Sequence, residues 1–288
     1  MTLGRPTAAT GAVSLPDIEF VCALVRRTSS VLLEPSKGYL VSSRLLPLAR
    51  REGLESVSSL IATLRARPFG RLHDATVEAL VISETSFFRD YHPFEALREQ
   101  ILPELIRARR GTSRSLTVWS AACSTGQEPY SLAMLILEHF PVLRDWQLNL
   151  IASDLSKSAL DRARQGLYHQ HEVNRGLPAR QLVRFFLQER TMWRLRDEVR
   201  GMWRFFPHNL SHDWESIPRV DLLLLRNALI YFDVDTRRNI LRRVRRVLSP
   251  DGYLLLGGAE TTFSLDEGFS RVQVGRSVFY QVKRDHKP

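Results

Sequence analysis

Apolar residues in the first third of the chain recur at the spacing of amphipathic helices. The pattern predicts a helix that opens at Leu15, a second over 40–51 and a third over 57–65. Pro47 should start or kink the second helix, because proline lacks a backbone N–H and its ring clashes inside a helix. From about Val77 the periodicity weakens, and the sequence predicts a connecting segment rich in hydroxyl and aromatic side chains.

Beyond Arg114, short apolar runs alternate with segments of helical periodicity. This alternation predicts an α/β fold with a doubly wound, mostly parallel sheet. The run from Val220 to Leu225 is typical of a central strand that is covered on both faces. The predicted strands are 116–118, 148–151, 220–225 and 253–256, and the predicted helices are 129–140, 158–166 and 236–248.

The predicted domain organisation follows from these changes of pattern. Residues 1–14 are expected to be a flexible tail, and 15–90 a small all-helical N-terminal domain with its linker. Residues 91–288 are expected to form the α/β domain, with a small antiparallel insertion at about 178–206.

Charge and cysteine content narrow the class of protein. The 288-residue chain has 41 Lys and Arg against 31 Asp and Glu, a formal charge of +10. An acidic partner is therefore expected, whether nucleic acid, an anionic membrane surface or an acidic protein. The two cysteines lie far apart in sequence without metal-ligand spacing, which indicates a reducing, cytoplasmic setting without a metal site. With no apolar run near ~18 residues and no signal peptide, we expect no membrane insertion.

The segment 118–134, VWSAACSTGQEPYSLAM, is the first candidate for chemistry. A predicted strand enters a loop of small residues, which includes Ala122, and a helix follows. Ligands of open α/β sheets bind beyond the carboxyl ends of strands, where small residues let a ligand approach the backbone. The loop lacks both the G-x-G-x-x-G pattern and a lysine, which counts against a phosphate-binding loop. The spacing of these residues alone is explained equally well by an ordinary tight turn between a strand and a helix.

Polar residues follow two other predicted strands. Asp154 comes directly after the second strand, where an acidic residue either binds ribose hydroxyls or caps a helix. Together with the small-residue loop, it favours an adenosine ligand. Arg226 and Asn227 follow the buried strand and are expected to line a site, and Tyr231 lies one helical turn further on. The alternative for Tyr231 is a core aromatic.

Six blocks of the sequence carry a resemblance to a known family. In chain order they are SFFRD, VWSAACSTGQEPYSLAM, ASDLSKSALDRARQGLY, FFPHNL, LLRNALIYFD and LSPDGYLLLGGAE. Together they resemble the CheR family of chemotaxis-receptor methyltransferases over essentially the whole chain after the tail. The resemblance implies a class I methyltransferase-like fold behind a small helical domain, with S-adenosylmethionine as the cofactor and S-adenosylhomocysteine as its product.

The resemblance also implies which residues bind the cofactor. Thr85 and Arg89 match residues that approach its methionine part, and Ser83 stands where the family often has asparagine. The other implied contacts are Ala122 in the loop, Glu128, Asp154 at the ribose, Asn209 and Leu210 at the adenine, and Arg226 and Asn227 at the donor end.

The implied reaction is the esterification of glutamate side chains on a cytoplasmic, acidic helical bundle of methyl-accepting receptors. Arg89 and Tyr231 match residues that position the acceptor carboxylate, so Arg89 has two candidate roles. A monomer that does not bind nucleic acid is expected.

Receptor recognition in the family involves a basic helix of the small domain. The matching positions here are Arg44, Arg50 and Arg51, but Leu46 and Pro47 replace polar or basic residues of the family. Some relatives grip a receptor tail peptide with a glycine-containing loop of the inserted sheet. The matching segment, 187–192, is short and has no glycine, which predicts a methyltransferase that does not depend on such a tail.

Two other functions are compatible with parts of the sequence. The basic charge favours a nucleic-acid methyltransferase, but the Asn/Asp-Pro-Pro-aromatic motif of enzymes that methylate exocyclic amines is replaced by Arg226-Asn227-Ala228-Leu229. A non-catalytic sensor of the cofactor is the second alternative, and the presence of Arg89, Asn227 and Tyr231 counts against it.

Overall fold

The computed structural model describes residues 13–283. The chain forms two compact units, Met1–Ile82 and Ser83–Pro288. Of the predicted tail, residues 1–12 lie outside the described residues, and Ser14 caps the first helix by accepting a hydrogen bond from the Asp17 N–H. No helix among residues 13–283 is long and apolar enough to cross a membrane.

The N-terminal unit is helical in its described part. Its interior is built from the apolar stripes of the helices, which include Val21, Leu45 and Leu60 at 0% exposure. Ser56 caps the third helix through its hydroxyl, which accepts from the Ser59 N–H. The helices are α1 (Leu15–Ser29), α2 (Gly38–Arg51), α3 (Val57–Ala66) and α4 (Arg71–Leu80), with a 3-10 turn at Pro35–Lys37.

Two details of this unit differ from the sequence prediction. The helix α4 extends through Val77, where a connecting segment was predicted. Its buried face includes His73 and Thr76 beside Val77 and Leu80, so two polar residues interrupt the apolar pattern that would have marked a helix. Pro47 lies inside α2, so of the two predicted effects it does not start the helix, and a kink stays a prediction.

The second unit contains a mixed sheet flanked by helices. Within residues 83–283, this sheet has seven strands: β1 (Ser115–Ala121), β2 (Gln147–Asp154), β6 (Trp203–Pro207), β7 (Val220–Leu225), β8 (Leu248–Leu256), β9 (Phe269–Val274) and β10 (Ser277–Val282). Their order in the sheet is β6-β2-β1-β7-β8-β10-β9. The helices are α5 (His92–Ala96), α6 (Leu102–Arg110), α7 (Gln127–His139), α8 (Lys157–Gln165), α9 (Gln170–Val173), α10 (Ala179–Phe185), α11 (Asp197–Arg200) and α12 (Val234–Val247), with a π-helical turn at Leu97–Ile101 and 3-10 turns at Pro141–Asp145 and Leu229–Tyr231.

The strand pairing confirms the predicted fold class. The strands β6, β2, β1, β7 and β8 are mutually parallel, whereas β10 pairs antiparallel with both β8 and β9. From β1 the chain continues outward to β2 and β6 on one side, then crosses back to β7 and β8 on the other. The order therefore reverses between β1 and β7, which is where open α/β sheets form a ligand crevice.

A small antiparallel sheet accompanies the main one, but its bounds differ from those predicted. It is ordered β3-β5-β4, with β3 at Leu167–His169, β4 at Phe186–Glu189 and β5 at Met192–Leu195. The strand β6, which the sequence analysis gave to the insertion, instead pairs parallel with β2 at the edge of the main sheet. Its alternating burial resembles that of a half-exposed hairpin strand, which explains the misassignment.

The segment 83–90 belongs to the second unit, although the sequence analysis gave it to the helical domain as a linker. Phe87 and Phe88 are buried in the core of this unit, and the Phe88 N–H donates to the Ser131 hydroxyl of α7 at 2.9 Å. The aromatic pair thus attaches the segment that carries Thr85 and Arg89 to the core of the second unit.

Candidate active site

The candidate residues of the second unit converge on the carboxyl edge of its sheet. The loop after β1, Asp154 at the end of β2, and Arg226 and Asn227 after β7 come from three neighbouring strands. The segments 83–91 and 208–214 follow the same edge, because hydrogen bonds connect them to these strands.

The loop after β1 has an unusual backbone. Ala122, Ser124 and Gly126 adopt φ values of 58°, 52° and 93°, in the left-handed region. A Cβ on Gly126 would lie 2.9 Å from the Ala163 Cβ, so glycine is required both by conformation and by close packing. Such strained backbone persists only where surrounding contacts fix it, and it is common at ligand sites.

Three hydrogen bonds to two segments, the end of β2 and Ser83, fix this loop. The Ser124 N–H donates to Asp154 Oδ2 at 2.8 Å, and the Ser124 hydroxyl donates to the Ser83 carbonyl at 2.7 Å. The Cys123 N–H donates to the Ser153 carbonyl at 2.9 Å. Burial raises the pKa of the Cys123 thiol well above its usual range, so this cysteine is a packing group and not a nucleophile.

Asp154 does not cap the helix that follows it. The cap of α8 is Ser156, whose hydroxyl accepts from the Ala159 N–H. Asp154 is 7% exposed and accepts from the backbone N–H groups of Ser124 and Ser156. The carboxylate therefore joins the ends of β1 and β2, in the position from which acidic residues reach ribose hydroxyls.

Arg226 connects three parts of the site. Its side chain is 2% exposed, and its guanidinium donates to Glu128 Oε2 at 3.1 Å, Asp90 Oδ2 at 2.7 Å and the Arg89 carbonyl at 3.0 Å. Glu128 also accepts from the Ser120 hydroxyl at 2.9 Å. Because a buried charge is tolerated only when it is paired and hydrogen-bonded, this network fixes the start of α7, the end of β7 and the segment 83–91 together.

The turn after Phe87 is also strained. Phe88, Asp90 and Tyr91 have φ values of 47°, 67° and 50°, and bulky residues rarely adopt this conformation. The network around Arg226 holds the turn through the Asp90 carboxylate and the Arg89 carbonyl. The Arg89 side chain donates to the Glu84 carbonyl at 3.1 Å, and Thr85 lies half-buried in the same segment.

Glu260 organises the turn that carries Asn227. Its carboxylate accepts from the N–H groups of Asn227 and Gly257 at 2.7 Å each, and from Ile230 at 3.2 Å. Asn227 has a φ of 57°, and a Cβ on Gly257 would lie 2.7 Å from Asn227 Nδ2. Tyr231 is half-buried on the 3-10 turn that follows.

Sequence reasoning did not single out Glu260, Gly257 or Asp90. The signal for the first two was present in the block LSPDGYLLLGGAE, where an acidic residue closely follows the end of a strand and a glycine pair. Asp90 belongs to the SFFRD block, but nothing in the sequence indicates its pairing with Arg226, 136 residues away.

Asn209 and Leu210 form an ordered turn after β6. Asn209 Oδ1 accepts from the Ser211 N–H and hydroxyl at 3.0 and 2.8 Å, and the Leu210 carbonyl accepts from Trp214 Nε1 at 3.1 Å. The Trp214 ring packs edge-on against Trp119, with centroids 4.8 Å apart. This turn supplies apolar surface and amide groups, which suit a purine ring.

His208 lies beside these two tryptophan rings, and its pKa leads to a prediction about the stability of the fold. Burial, and to a lesser extent His212 and Arg243, lowers its pKa to about 4. The unfolded chain takes up this proton near pH 6.5, its ordinary pKa, whereas the folded chain does not until about pH 4. The free energy of unfolding should therefore fall as the pH drops from about 6.5 to about 4.

Urea unfolding at a series of pH values measures this dependence. His208→Phe, which does not titrate, should weaken the loss of stability over that range, and the exposed His139→Gln is the matched control. If the free energy of unfolding of His208→Phe depends on pH as that of the wild type does, the assignment of this dependence to His208 is wrong.

In the N-terminal unit, the three arginines predicted to recognise a partner differ in environment. Arg44 donates to the carbonyls of Leu80 and Val81 at 3.0 and 3.1 Å, and so satisfies the C-terminal end of α4. Arg50 and Arg51 are exposed at the end of α2. Arg44 thus has a structural role within its own unit.

The site fits an adenosine-containing cofactor that carries a charged amino acid moiety. The small-residue loop permits close approach, Asp154 suits ribose hydroxyls, and the Asn209–Leu210 turn suits the adenine. Glu128 and Arg226 place charge of both signs at this edge of the sheet, where they pair with each other.

Comparisons with known proteins agree with this fit. A family model described as "CheR methyltransferase, SAM binding domain" matches residues 83–278, and another described as "CheR methyltransferase, all-alpha domain" matches residues 16–81. Chemotaxis protein methyltransferase 1 of Pseudomonas aeruginosa is 37% identical over 272 residues, covering 93% of this chain and 98% of the relative. Chemotaxis protein methyltransferase Cher2 of Pseudomonas putida is 36% identical over 272 residues, with the same two coverages. Chemotaxis protein methyltransferase 1 of Vibrio cholerae is 35% identical over 278 residues, covering 94% and 99%.

Proposed function

We infer the reaction of this chain from the CheR methyltransferase family, to which it belongs. It is an S-adenosylmethionine-dependent methyltransferase. We propose that it acts in chemotaxis signalling and transfers the methyl group to glutamate side chains of receptor proteins in the cytoplasm. The products are glutamyl methyl esters and S-adenosylhomocysteine.

The observation that supports this proposal most strongly is the network around Arg226. It joins Glu128 and Asp90 and holds the Arg89 segment at the carboxyl edge of the sheet, next to the Asn227 turn. The candidate contacts for the methionine part of the cofactor and those for the acceptor therefore share one rigid support. A protein that only sensed the cofactor would not need the acceptor side of this arrangement.

The chemistry requires positioning and no general base. A glutamate with a pKa of about 4.3 is already a carboxylate at neutral pH. Bound S-adenosylmethionine supplies a methyl group activated by its sulfonium charge. A carboxylate oxygen bonds to the methyl carbon while the carbon–sulfur bond breaks, and that electron pair stays on sulfur. Orientation of the reactants contributes up to ~7–11 kcal/mol in favourable cases.

Arg89 and Tyr231 are proposed to orient the acceptor carboxylate. Tyr231→Phe should lower kcat about tenfold, the effect of one lost hydrogen bond of ~1.4 kcal/mol, and leave the Kd for S-adenosylhomocysteine unchanged. Steady-state methylation and calorimetry measure the two quantities, with the exposed Tyr39→Phe as control. A rise in Kd with unchanged kcat would place Tyr231 at the cofactor instead.

The partner is proposed to be an acidic helical bundle, in keeping with the formal charge of +10. Of the three candidate arginines, Arg50 and Arg51 are exposed for such a contact, whereas Arg44 is engaged within its unit. Esterification would remove one negative charge from the bundle and relieve repulsion between like charges.

Independence of a receptor tail is supported by the hairpin of the small sheet. The strands β4 and β5 are joined by the two-residue turn Arg190-Thr191, in which Arg190 has a φ of 54°. Arg194 and Glu189 pair beside this turn. So tight a turn offers little loop backbone to hold a peptide. A receptor fragment with its tail removed should therefore be methylated at the same rate as the full fragment.

Methyl transfer to parallel acceptors tests the proposed function. Labelled S-adenosylmethionine is incubated with the enzyme and with cytoplasmic receptor fragments, tRNA or DNA. Label on the receptor fragment alone is expected. Label on tRNA or DNA would favour a nucleic-acid methyltransferase. Cofactor binding without transfer to any acceptor would favour a non-catalytic sensor of the cofactor.

A further inference from the structure

A cavity of about 340 Å³ adjoins the carboxyl ends of β7 and β8. Its walls come from the start of α5 with His92 and Pro93, the turn Gly257-Gly258 after β8, and the β9–β10 hairpin. Its size falls within the roughly 300–1,000 Å³ range of small-ligand sites.

The cavity shares two walls with the candidate active site. Arg226 and Asp90, which line it, are the pair that holds the Arg89 segment. Gly257 and Glu260 also line it, and both are in close contact with the Asn227 turn. A group bound in the cavity would therefore be adjacent to the position proposed for methyl transfer.

The charges around the cavity favour an anion. Its acidic residues, Asp90 and Glu260, are already engaged by Arg226 and by three backbone N–H groups. Arg271 of β9 donates to Gln273 at 2.7 Å. Arg276, in the hairpin turn, has no hydrogen bond or ion pair to any residue between 13 and 283. Arg276 is therefore available to bind a ligand.

Two buried polar atoms on cavity-lining residues lack partners. Ser277 is 6% exposed, and its hydroxyl makes no hydrogen bond with the described part of the chain. The same holds for Nε of Arg226. Buried donors are nearly always satisfied, because leaving one unpaired costs about 1–3 kcal/mol. Both atoms can donate to an anion.

We propose that this cavity is a second substrate subsite, which binds a carboxylate of the methylated protein other than the acceptor itself. The inference rests on the proposed function, since it takes an acidic protein as the substrate. The carboxylate interacts with Arg276 and the Ser277 hydroxyl while the acceptor glutamate lies at the adjoining methyl-transfer position. The subsite thereby selects glutamates that have an acidic neighbour.

Kinetics of receptor-fragment methylation test the subsite through Arg276→Ala and Ser277→Ala. Arg276→Ala should raise the KM for the fragment roughly fivefold or more, as expected for the loss of a charge-assisted hydrogen bond. Ser277→Ala should raise the KM less, because the serine hydroxyl that donates this hydrogen bond is uncharged. Neither variant should change kcat or the Kd for S-adenosylhomocysteine. Arg242→Ala, an exposed arginine on α12, removes the same charge outside the cavity and should leave KM near the wild-type value.

A free dicarboxylate distinguishes a substrate subsite from a small-molecule site. Glutarate should compete with the receptor fragment in the wild type and lose potency in Arg276→Ala. If glutarate alters the wild-type rate while Arg276→Ala leaves the KM unchanged, the cavity serves a free carboxylate and the substrate assignment is wrong. If Arg276→Ala and Arg242→Ala change the KM equally, the change comes from the lower net charge of the enzyme, and the subsite is overturned.

Different results would contradict the proposed function and the subsite. Wild-type enzyme that leaves the receptor fragment unlabelled overturns the proposed function and the subsite with it. Wild-type enzyme that labels the fragment, with the same KM in all three variants, overturns the subsite alone.

Discussion

Replacing Arg226 with methionine is expected to abolish measurable methyl transfer and to lower the free energy of unfolding by about 3–5 kcal/mol, the cost of breaking a buried ion pair. The loss follows because Glu128, 8% exposed, would be left buried without the guanidinium that pairs with it. The Arg89 carbonyl and the Asp90 carboxylate would lose the donor that holds the strained turn. Urea unfolding and single-turnover methylation measure the two effects.

A double variant separates the cost of a buried unpaired charge from the cost of lost packing. Glu128→Gln combined with Arg226→Met leaves no buried unpaired charge at this pair, so the double variant should be more stable than Arg226→Met alone. The exposed Arg246→Met is the matched control. A stability loss below about 1 kcal/mol in Arg226→Met would show that the network is not the support of the site.

Asp154→Asn should weaken S-adenosylhomocysteine binding about 100-fold, a loss of ~2.7 kcal/mol. The asparagine side chain has one acceptor oxygen, whereas the carboxylate accepts from both Ser124 and Ser156 through different oxygens. The NH₂ group of the asparagine would therefore face a backbone N–H, and the loop after β1 would lose one of the hydrogen bonds that hold it. The proposed ribose contact would also lose its charge.

Calorimetric titration with S-adenosylhomocysteine measures this effect. Asp161→Asn is the control, because Asp161 is exposed and pairs with Arg164 on the surface of α8. A Kd for Asp154→Asn within about threefold of the wild type would remove Asp154 from the cofactor site.

The sequence predicted the fold class because the central strands carry an unambiguous signal. The strand β7 occupies Val220–Leu225 as predicted, since only a strand covered on both faces is so uniformly apolar. The edge strand β6 was misassigned because its half-exposed pattern resembles that of an antiparallel hairpin strand. The helix α4 was missed because the buried His73 and Thr76 interrupt its apolar periodicity.

The candidate site was predictable where residues follow strands directly. Asp154, Arg226 and Asn227 lie at the sheet edge because the carboxyl ends of parallel strands meet there. The partners of these residues come from distant parts of the chain, as Asp90 does for Arg226 and Glu260 does for Asn227. Such pairings depend on tertiary packing and leave no local pattern in the sequence.

The most direct test of the account is the chemical identity of the methylated group on a receptor fragment. After reaction with labelled S-adenosylmethionine, the labelled fragment is treated with mild base, and volatile methanol is collected. The account predicts that the label is released as methanol and that fragment mapping places it on glutamate, as for a carboxylate ester. A label that withstands base would show methylation of nitrogen or another stable position, and would contradict glutamate esterification.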